Sequence, residues 1–279
     1  MNRSDDRGVH SLWDFRTGGN IWRIVPAEGR LIAGEERNLE KKTVTFFCVA
    51  LDDGRALWKG KSIAESWWTG IETTHRGILF IHGYPAPSMP DHKKILALDA
   101  LSGDSLWENG ELAFGFASGA SVYASKELFD RRAFFELDLM TGSVVREVPA
   151  DELHALRAAP GAPWGLDVQL PGVAAEPPEA VRSAFPAESA LEPGETLRYN
   201  DADVSNWYEV RPGDGTGRKL REHLFVLDAR TGELRYRDVV CDGLSLPAGS
   251  TFFRVEERVL YVKDRTTLRS FSLSNGDTK

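Results

Sequence analysis

His82, Tyr84, His92 and Lys93 flank one short segment, Pro85-Ala86-Pro87-Ser88-Met89-Pro90-Asp91. Imidazoles near their pKa at neutral pH can carry protons, bind metals or make polar contacts. Three prolines next to Gly83 stiffen the segment into a shaped loop, which loses little entropy on binding. This reads as a recognition loop with His82, Tyr84 and His92 as polar contacts. The two histidines are ten residues apart, in no HExxH register and with no third ligand evident nearby, so no metal is expected. Further upstream, Trp22, Trp67 and Trp68 offer ring faces for stacking, and Glu72 offers a carboxylate. Trp22, Trp68, Glu72 and His82 would converge if they sat on the inner strands of neighbouring sheets. The plain alternative is structural: histidines that satisfy backbone carbonyls and tryptophans that pack between sheets.

Other chemistries find no support. Cys48 lies in the apolar run Phe46-Phe47-Cys48-Val49 and reads as a buried small hydrophobe; Cys241 has no neighbouring histidine. Two cysteines so far apart make neither a disulfide scaffold nor a four-cysteine zinc site. Gly213-Asp214-Gly215-Thr216-Gly217-Arg218-Lys219 looks like a phosphate loop, but its spacing is wrong and it lies between two strands. A net charge of -8 argues against nucleic acid or an anionic membrane as partner. No apolar run approaches the ~18 residues that span a bilayer. The start, Met1 to Gly8, is polar, and a cytoplasmic location is expected.

The elements that must position these residues come from a repeat. An apolar residue and Asp are followed by Gly and then by an aromatic or long side chain four residues on: Asp99, Gly103, Trp107; Asp138, Gly142, Arg146; Asp228, Gly232, Tyr236. Leu51-Asp52-Asp53-Gly54 before Trp58 reads as a shortened copy, and Ser272-Leu273-Ser274-Asn275-Gly276 as a weak last one. The glycines are 49, 39, 90 and 44 residues apart, and a propeller blade takes roughly 40–50. Each copy follows an apolar run suited to a strand covered on both faces. Asp accepts turn amides, and Gly supplies the positive φ of a tight hairpin. Small sheets covered on both faces stack radially.

Ala97-Leu98-Asp99-Ala100-Leu101-Ser102-Gly103-Asp104-Ser105-Leu106-Trp107 resembles the repeats of PQQ-like (quinoprotein-type) β-propellers. Leu12 to Trp22 is similar to that family's junction between one blade and the next. Trp67-Trp68, His82-Gly83-Tyr84, Pro87, Pro90 and His92-Lys93 are similar to an uncharacterised bacterial family of unknown function within this group. The resemblance implies an all-β propeller, a single domain over residues 1–279. It has five recognisable four-stranded blades, closed by an N-terminal strand from Ser11 to Phe15. Residues 148–193, rich in Ala and Pro, form an insertion or a worn sixth blade, with a short helix at 151–157 and a strand near 166–170. Leu191-Glu192-Pro193-Gly194 reads as a degenerate turn, and Glu35 to Lys42 as a solvated charge run.

Quinoprotein dehydrogenases hold calcium and a quinone, often on a disulfide of adjacent cysteines. Cys48 and Cys241 are not adjacent and the chain is far shorter, so the resemblance is one of blade structure, with no PQQ-dependent dehydrogenase activity and no cofactor expected. The expected role is a non-catalytic binding or scaffold propeller. It would take a protein partner, or an unidentified small molecule, through face loops and the removable 150–190 insertion. The alternative is a small-molecule enzyme or sensor with a site on the propeller axis.

Overall fold

The computed structural model describes residues 11–84, 92–157, 165–212, 217–249 and 251–273. Strand β1 (Ser11–Arg16) is the first element among the described residues. The first sheet follows in order as β2 (Asn20–Ala27), β3 (Leu31–Asn38), β4 (Thr43–Ala50) and β5 (Ala56–Lys61). The second holds β6 (Thr69–His75), β7 (Ile78–Gly83), β8 (Lys93–Asp99) and β9 (Ser105–Asn109). The third holds β10 (Ala113–Ser118), β11 (Ser121–Glu127), β12 (Arg132–Asp138) and β13 (Val144–Val148). Then come α1 (Ala150–Arg157), β14 (Val168–Gln169), β15 (Gly172–Val173) and α2 (Glu179–Arg182). The fourth sheet is β16 (Leu191–Tyr199), β17 (Ala202–Pro212), β18 (Arg218–Asp228) and β19 (Leu234–Leu244), with β15 on its edge. The fifth is β20 (Phe252–Val255), β21 (Arg258–Lys263) and β22 (Thr267–Ser272), flanked by β14 and β1. All pairings are antiparallel, as in propeller blades. The chain divides into two compact units, residues 17–167 and residues 1–16 with 168–279.

The repeated turn joins the last two of the consecutive strands in each of the first four sheets. Gly103, Gly142 and Gly232 have φ of +75°, +67° and +73°, and each donates its N–H to the carbonyl of the Asp four residues earlier. That Asp side chain accepts turn amides, Ser102 on Asp99 and Met140 and Thr141 on Asp138. The copy at Leu51–Gly54 is not shortened. Gly54 donates to Ala50 in the same register, so Ala50 holds the Asp position and Asp53 caps Arg55 instead. The residue after the Asp position also donates to the preceding hairpin: Leu51 to Arg30, Ala100 to Gly77, Leu139 to Ala120, Ala229 to Asp201 and Leu273 to Glu257. The fifth copy therefore begins as the others do; its residues from Ser274 on lie outside the described part.

The aromatic four residues past the glycine locks one sheet to the next. Trp58 of the first sheet donates Nε1–H to the Ala100 carbonyl at 3.0 Å and lies against Gly103 of the second. Trp107 of the second donates to Leu139 at 2.9 Å and lies against Gly142 of the third. In the fourth sheet, Tyr236 packs on Phe271 of the fifth. Arg146 holds this place in the third sheet and pairs instead with Glu136 and with Glu152 of α1.

Strand β7 shows why the runs are apolar throughout. Leu79 and Ile81 enter the core shared with the first sheet, while Ile78 and Phe80 enter the core shared with the third. Alternate side chains serve opposite faces, and both faces are covered.

Two expectations change. Among the described residues the 148–193 stretch builds no sixth sheet: β14 and β15 add single short strands to two of the five sheets. The stretch also packs on the fourth sheet, where Ala174, Val181 and Phe185 share a buried cluster with Trp207, Phe225 and Leu227. Residues 191–194 are strand, not turn: β16 runs through them with a bulge after Pro193, where Gly194 leaves room for the Asn206 side chain.

Candidate functional site

Apart from Trp22, the sequence-predicted residues gather at one end of the second sheet. Glu65 accepts the amides of Trp67 and Trp68 at 2.9 and 3.0 Å, fixing the tight entry into β6, and these bonds hold its carboxyl below the usual range. The two tryptophans then diverge. Trp67 packs on the core of the first two sheets, while Trp68 is 38% exposed. Tyr84 donates its N–H to the Trp68 carbonyl and sets its ring edge-on to Trp68 at 6.4 Å.

Glu72 owes its position to a bulge. Ile71 pairs with Ile81 and Thr73 with Phe80, so Glu72 has no partner across the ladder. A bulge bends the strand and re-aims the extra side chain. Its Oε1 meets His92 Nδ1 at 2.5 Å and lies 3.2 Å from His82 Nδ1. Burial would push the Glu72 carboxyl up, but the two imidazoles outweigh it and hold the group below its ordinary value. Arg23 spends its guanidinium on the Glu72 carbonyl and leaves the carboxylate to the histidines.

His82 is 4% exposed and stands opposite Gly70, where any Cβ would come within 3.2 Å of the ring. Among the described residues neither of its ring nitrogens has a hydrogen-bond partner; the Glu72 contact is close but not aligned as one. His82 and His92 stack face to face with centroids 3.6 Å apart and planes 7° from parallel. Tyr84 closes one side, edge-on to both rings at 5.0 and 5.2 Å. The expectation that the histidines lack a third ligand is therefore corrected: Glu72, ten residues before His82, is brought to them by strand pairing. Pro85 to Asp91, the centre of the expected recognition loop, lies outside the described residues.

Trp22 and Trp67 are held by a residue that sequence reasoning dismissed. Arg37 lies between them, its guanidinium 5.3 Å from the Trp22 ring and 5.1 Å from the Trp67 ring. It also donates to the Trp67 and Thr69 carbonyls and pairs with Glu35 at 2.5 Å. Glu35 is 1% exposed, and its other oxygen accepts the Ile71 amide. Glu35 and Arg37 are thus no solvated run; a central strand carries them inward. The available signal was their spacing, since opposite charges two residues apart share one strand face. Trp22, the bulged residue of β2, is 63% exposed and does not join the histidine group.

Lys93 and Lys94 border a shallow cavity of about 380 Å³ with Ala64, Glu65, Trp68, Gly83, Tyr84 and Gly110. Lys94 is bulged out of the β7–β8 ladder with φ +69° and pairs with Glu108 at 2.8 Å. Cys48 is fully buried and burial pushes its thiol up to about 12, which leaves no thiolate for chemistry at neutral pH. Among the described residues no helix is long and apolar enough to cross a membrane.

Residues 26–107 match a family described as a domain of unknown function, DUF4905. The match takes in β3 to β8 with parts of β2 and β9, and includes Glu72, His82 and His92 but not Trp22. No curated protein sequence matches the chain. Among solved structures, quinohemoprotein alcohol dehydrogenase from Comamonas testosteroni aligns at 11% identity over 91% of this chain and 42% of its own, with a TM-score of 0.33. The quinohemoprotein alcohol dehydrogenase ADHIIG from Pseudomonas putida HK5 aligns at 10% identity over 94% and 42%, TM-score 0.31. The β-propeller domain of the Trilobed protease from Pyrococcus furiosus aligns at 10% identity over 93% and 70%, TM-score 0.32. The chain thus spans under half the length of the two dehydrogenases.

Proposed function

We propose that the chain is a non-catalytic binding module that holds a protein partner through the end of its second sheet. The observation that carries this reading is a set of rings held in fixed contacts, of which Trp22 and Trp68 are exposed. Trp68 and Tyr84 brace each other beside a shallow lysine-rimmed cavity, and Arg37 is clamped between Trp22 and Trp67. Trp, Tyr and Arg dominate interface hot spots, because they offer large contact area at low entropic cost when already fixed. Blade-type sheets supply the rigid support.

A photo-crosslinking amino acid placed at position 68 or 84, in the native host, tests this. Position 145, an exposed valine on the outer strand of the third sheet, serves as control. One adduct of discrete mass from 68 and 84, absent from 145, is expected. No adduct, or the same smear from all three positions, would sink the reading. The alternative, a small-molecule sensor, draws on one observation, the convergence of Glu72, His82 and His92.

A further inference from the structure

We infer that Glu72, His82 and His92 form a binding site for a divalent transition-metal ion of the zinc class. The inference is independent of the partner-binding reading. Three ligand atoms, two imidazole nitrogens and one carboxylate oxygen, lie within 4.8 Å of one another. They come from three different stretches of one sheet: the β6 bulge, the end of β7 and the approach to β8. Around a tetrahedral zinc with bonds of 2.0–2.1 Å, donors sit about 3.3 Å apart. His82 Nδ1 and Glu72 Oε1 already stand at 3.2 Å. His92 Nδ1, at 2.5 Å from the same oxygen, must open by under ~1 Å to take its place around a metal. The parallel rings must also rotate to aim both lone pairs at one ion. His92, about a third exposed, is the ring with room to do so.

The second observation is His82 itself. It is buried, its Nδ1 faces Glu72, and among the described residues neither ring nitrogen makes an aligned hydrogen bond. Buried polar groups are almost always satisfied, and each exception needs a reason. A metal on Nδ1 supplies one. Two nitrogens and one oxygen suit zinc, cobalt or nickel, and disfavour calcium and magnesium, which take oxygen ligands. Three protein ligands leave a fourth position for water or for a group brought by another molecule.

The test uses the full chain after chelator treatment. Zn2+ is titrated calorimetrically, and Co2+ is followed by its visible absorption, which reports low-coordinate nitrogen and oxygen ligation. The variants are Glu72→Gln, His92→Ala and His92→Cys, with His154→Ala on the exposed side of α1 as control. One ion per chain is expected, unaffected by Ca2+. Its affinity should fall at least ~100-fold in Glu72→Gln and His92→Ala, beyond the ~10–100-fold typical of outer-shell changes, and recover in His92→Cys. His154→Ala should bind as the unaltered protein does. Far-UV circular dichroism confirms that each variant keeps its strands. No binding at millimolar Zn2+, displacement by Ca2+, or equal affinity in Glu72→Gln and His92→Ala would overturn the assignment.

Discussion

Replacing turn glycines by alanine separates two costs that Gly103 and Gly142 of the repeat combine and that Gly77 of the β6–β7 hairpin does not. At Gly77, with φ +74° and nothing within 4 Å of a built Cβ, only the left-handed backbone opposes alanine. That costs about 1–2 kcal/mol. At Gly103 the Cβ would also stand 2.9 Å from the Trp58 ring, and at Gly142 it would stand 2.5 Å from the Trp107 ring. Carbon contacts relax near 3.5–4.0 Å, so the indole must retreat by roughly 1 Å or more. Overpacking of that kind costs about 1–3 kcal/mol. The retreat also strains the Nε1–H bond to Leu139, worth about 1 kcal/mol. The expected order of destabilisation is Gly142→Ala, then Gly103→Ala, then Gly77→Ala, with about 3–5 kcal/mol for the first. Urea unfolding followed by far-UV circular dichroism measures it. Trp107→Ala supplies the decisive control: in that background the excess of Gly142→Ala over Gly77→Ala should vanish. Equal losses at all three glycines, or an excess that survives Trp107→Ala, would refute the steric lock.

Three further outcomes are expected. His223 accepts from Arg237 on Nδ1 and faces Glu209 with Nε2, and burial with Arg237 lowers its pKa to about 4. The unfolded chain takes up this proton below about pH 6.5, so stability should fall from there to pH 4 by about 3 kcal/mol, a loss absent from chemical unfolding of His223→Gln. Burial raises the Glu222 carboxyl, whose Oε1 accepts from Asn206 and Thr251. Its unfavourable effect is absent below the unfolded pKa and grows as pH rises towards the folded one. Glu222→Gln should therefore gain about 1.4 kcal/mol of stability per unit of separation at alkaline pH and nothing near pH 4, as read from melting curves. Arg269 grips Asp14 with two bonds of 2.7 Å across the β1–β22 pair. Asp14→Ala should cost about 1 kcal/mol and speed amide exchange in Ser11–Arg16 about fivefold.

The sheets were legible because each repeat states its own turn. Asp99, Asp138 and Asp228 mark the hairpins, and Gly plus four marks the residue that reaches the next sheet. Where a copy departs from the pattern, sequence reasoning misjudged it: Ala50 in the Asp position made a full-length turn look short. The site residues were legible as types, yet their grouping was not. Bulges decide it, at Trp22, at Glu72 and at Lys94, and a bulge leaves no mark in local composition. Glu35 and Arg37 were lost in a charge run because burial there depends on β3 being a central strand, which pairing sets and composition does not.

The pairing of Ser11–Arg16 with Thr267–Ser272 has a consequence for synthesis. The first three sheets can form in the order in which they leave the ribosome, each as a local meander. The opening strand cannot, since its partner is made about 250 residues later, roughly 10–50 s at ordinary elongation rates. For that interval the β1 backbone has no ladder partner from β22, the strand it pairs with in the finished sheet. A permuted gene that moved this strand behind Ser272 would turn the longest-range pairing into a hairpin and remove the wait.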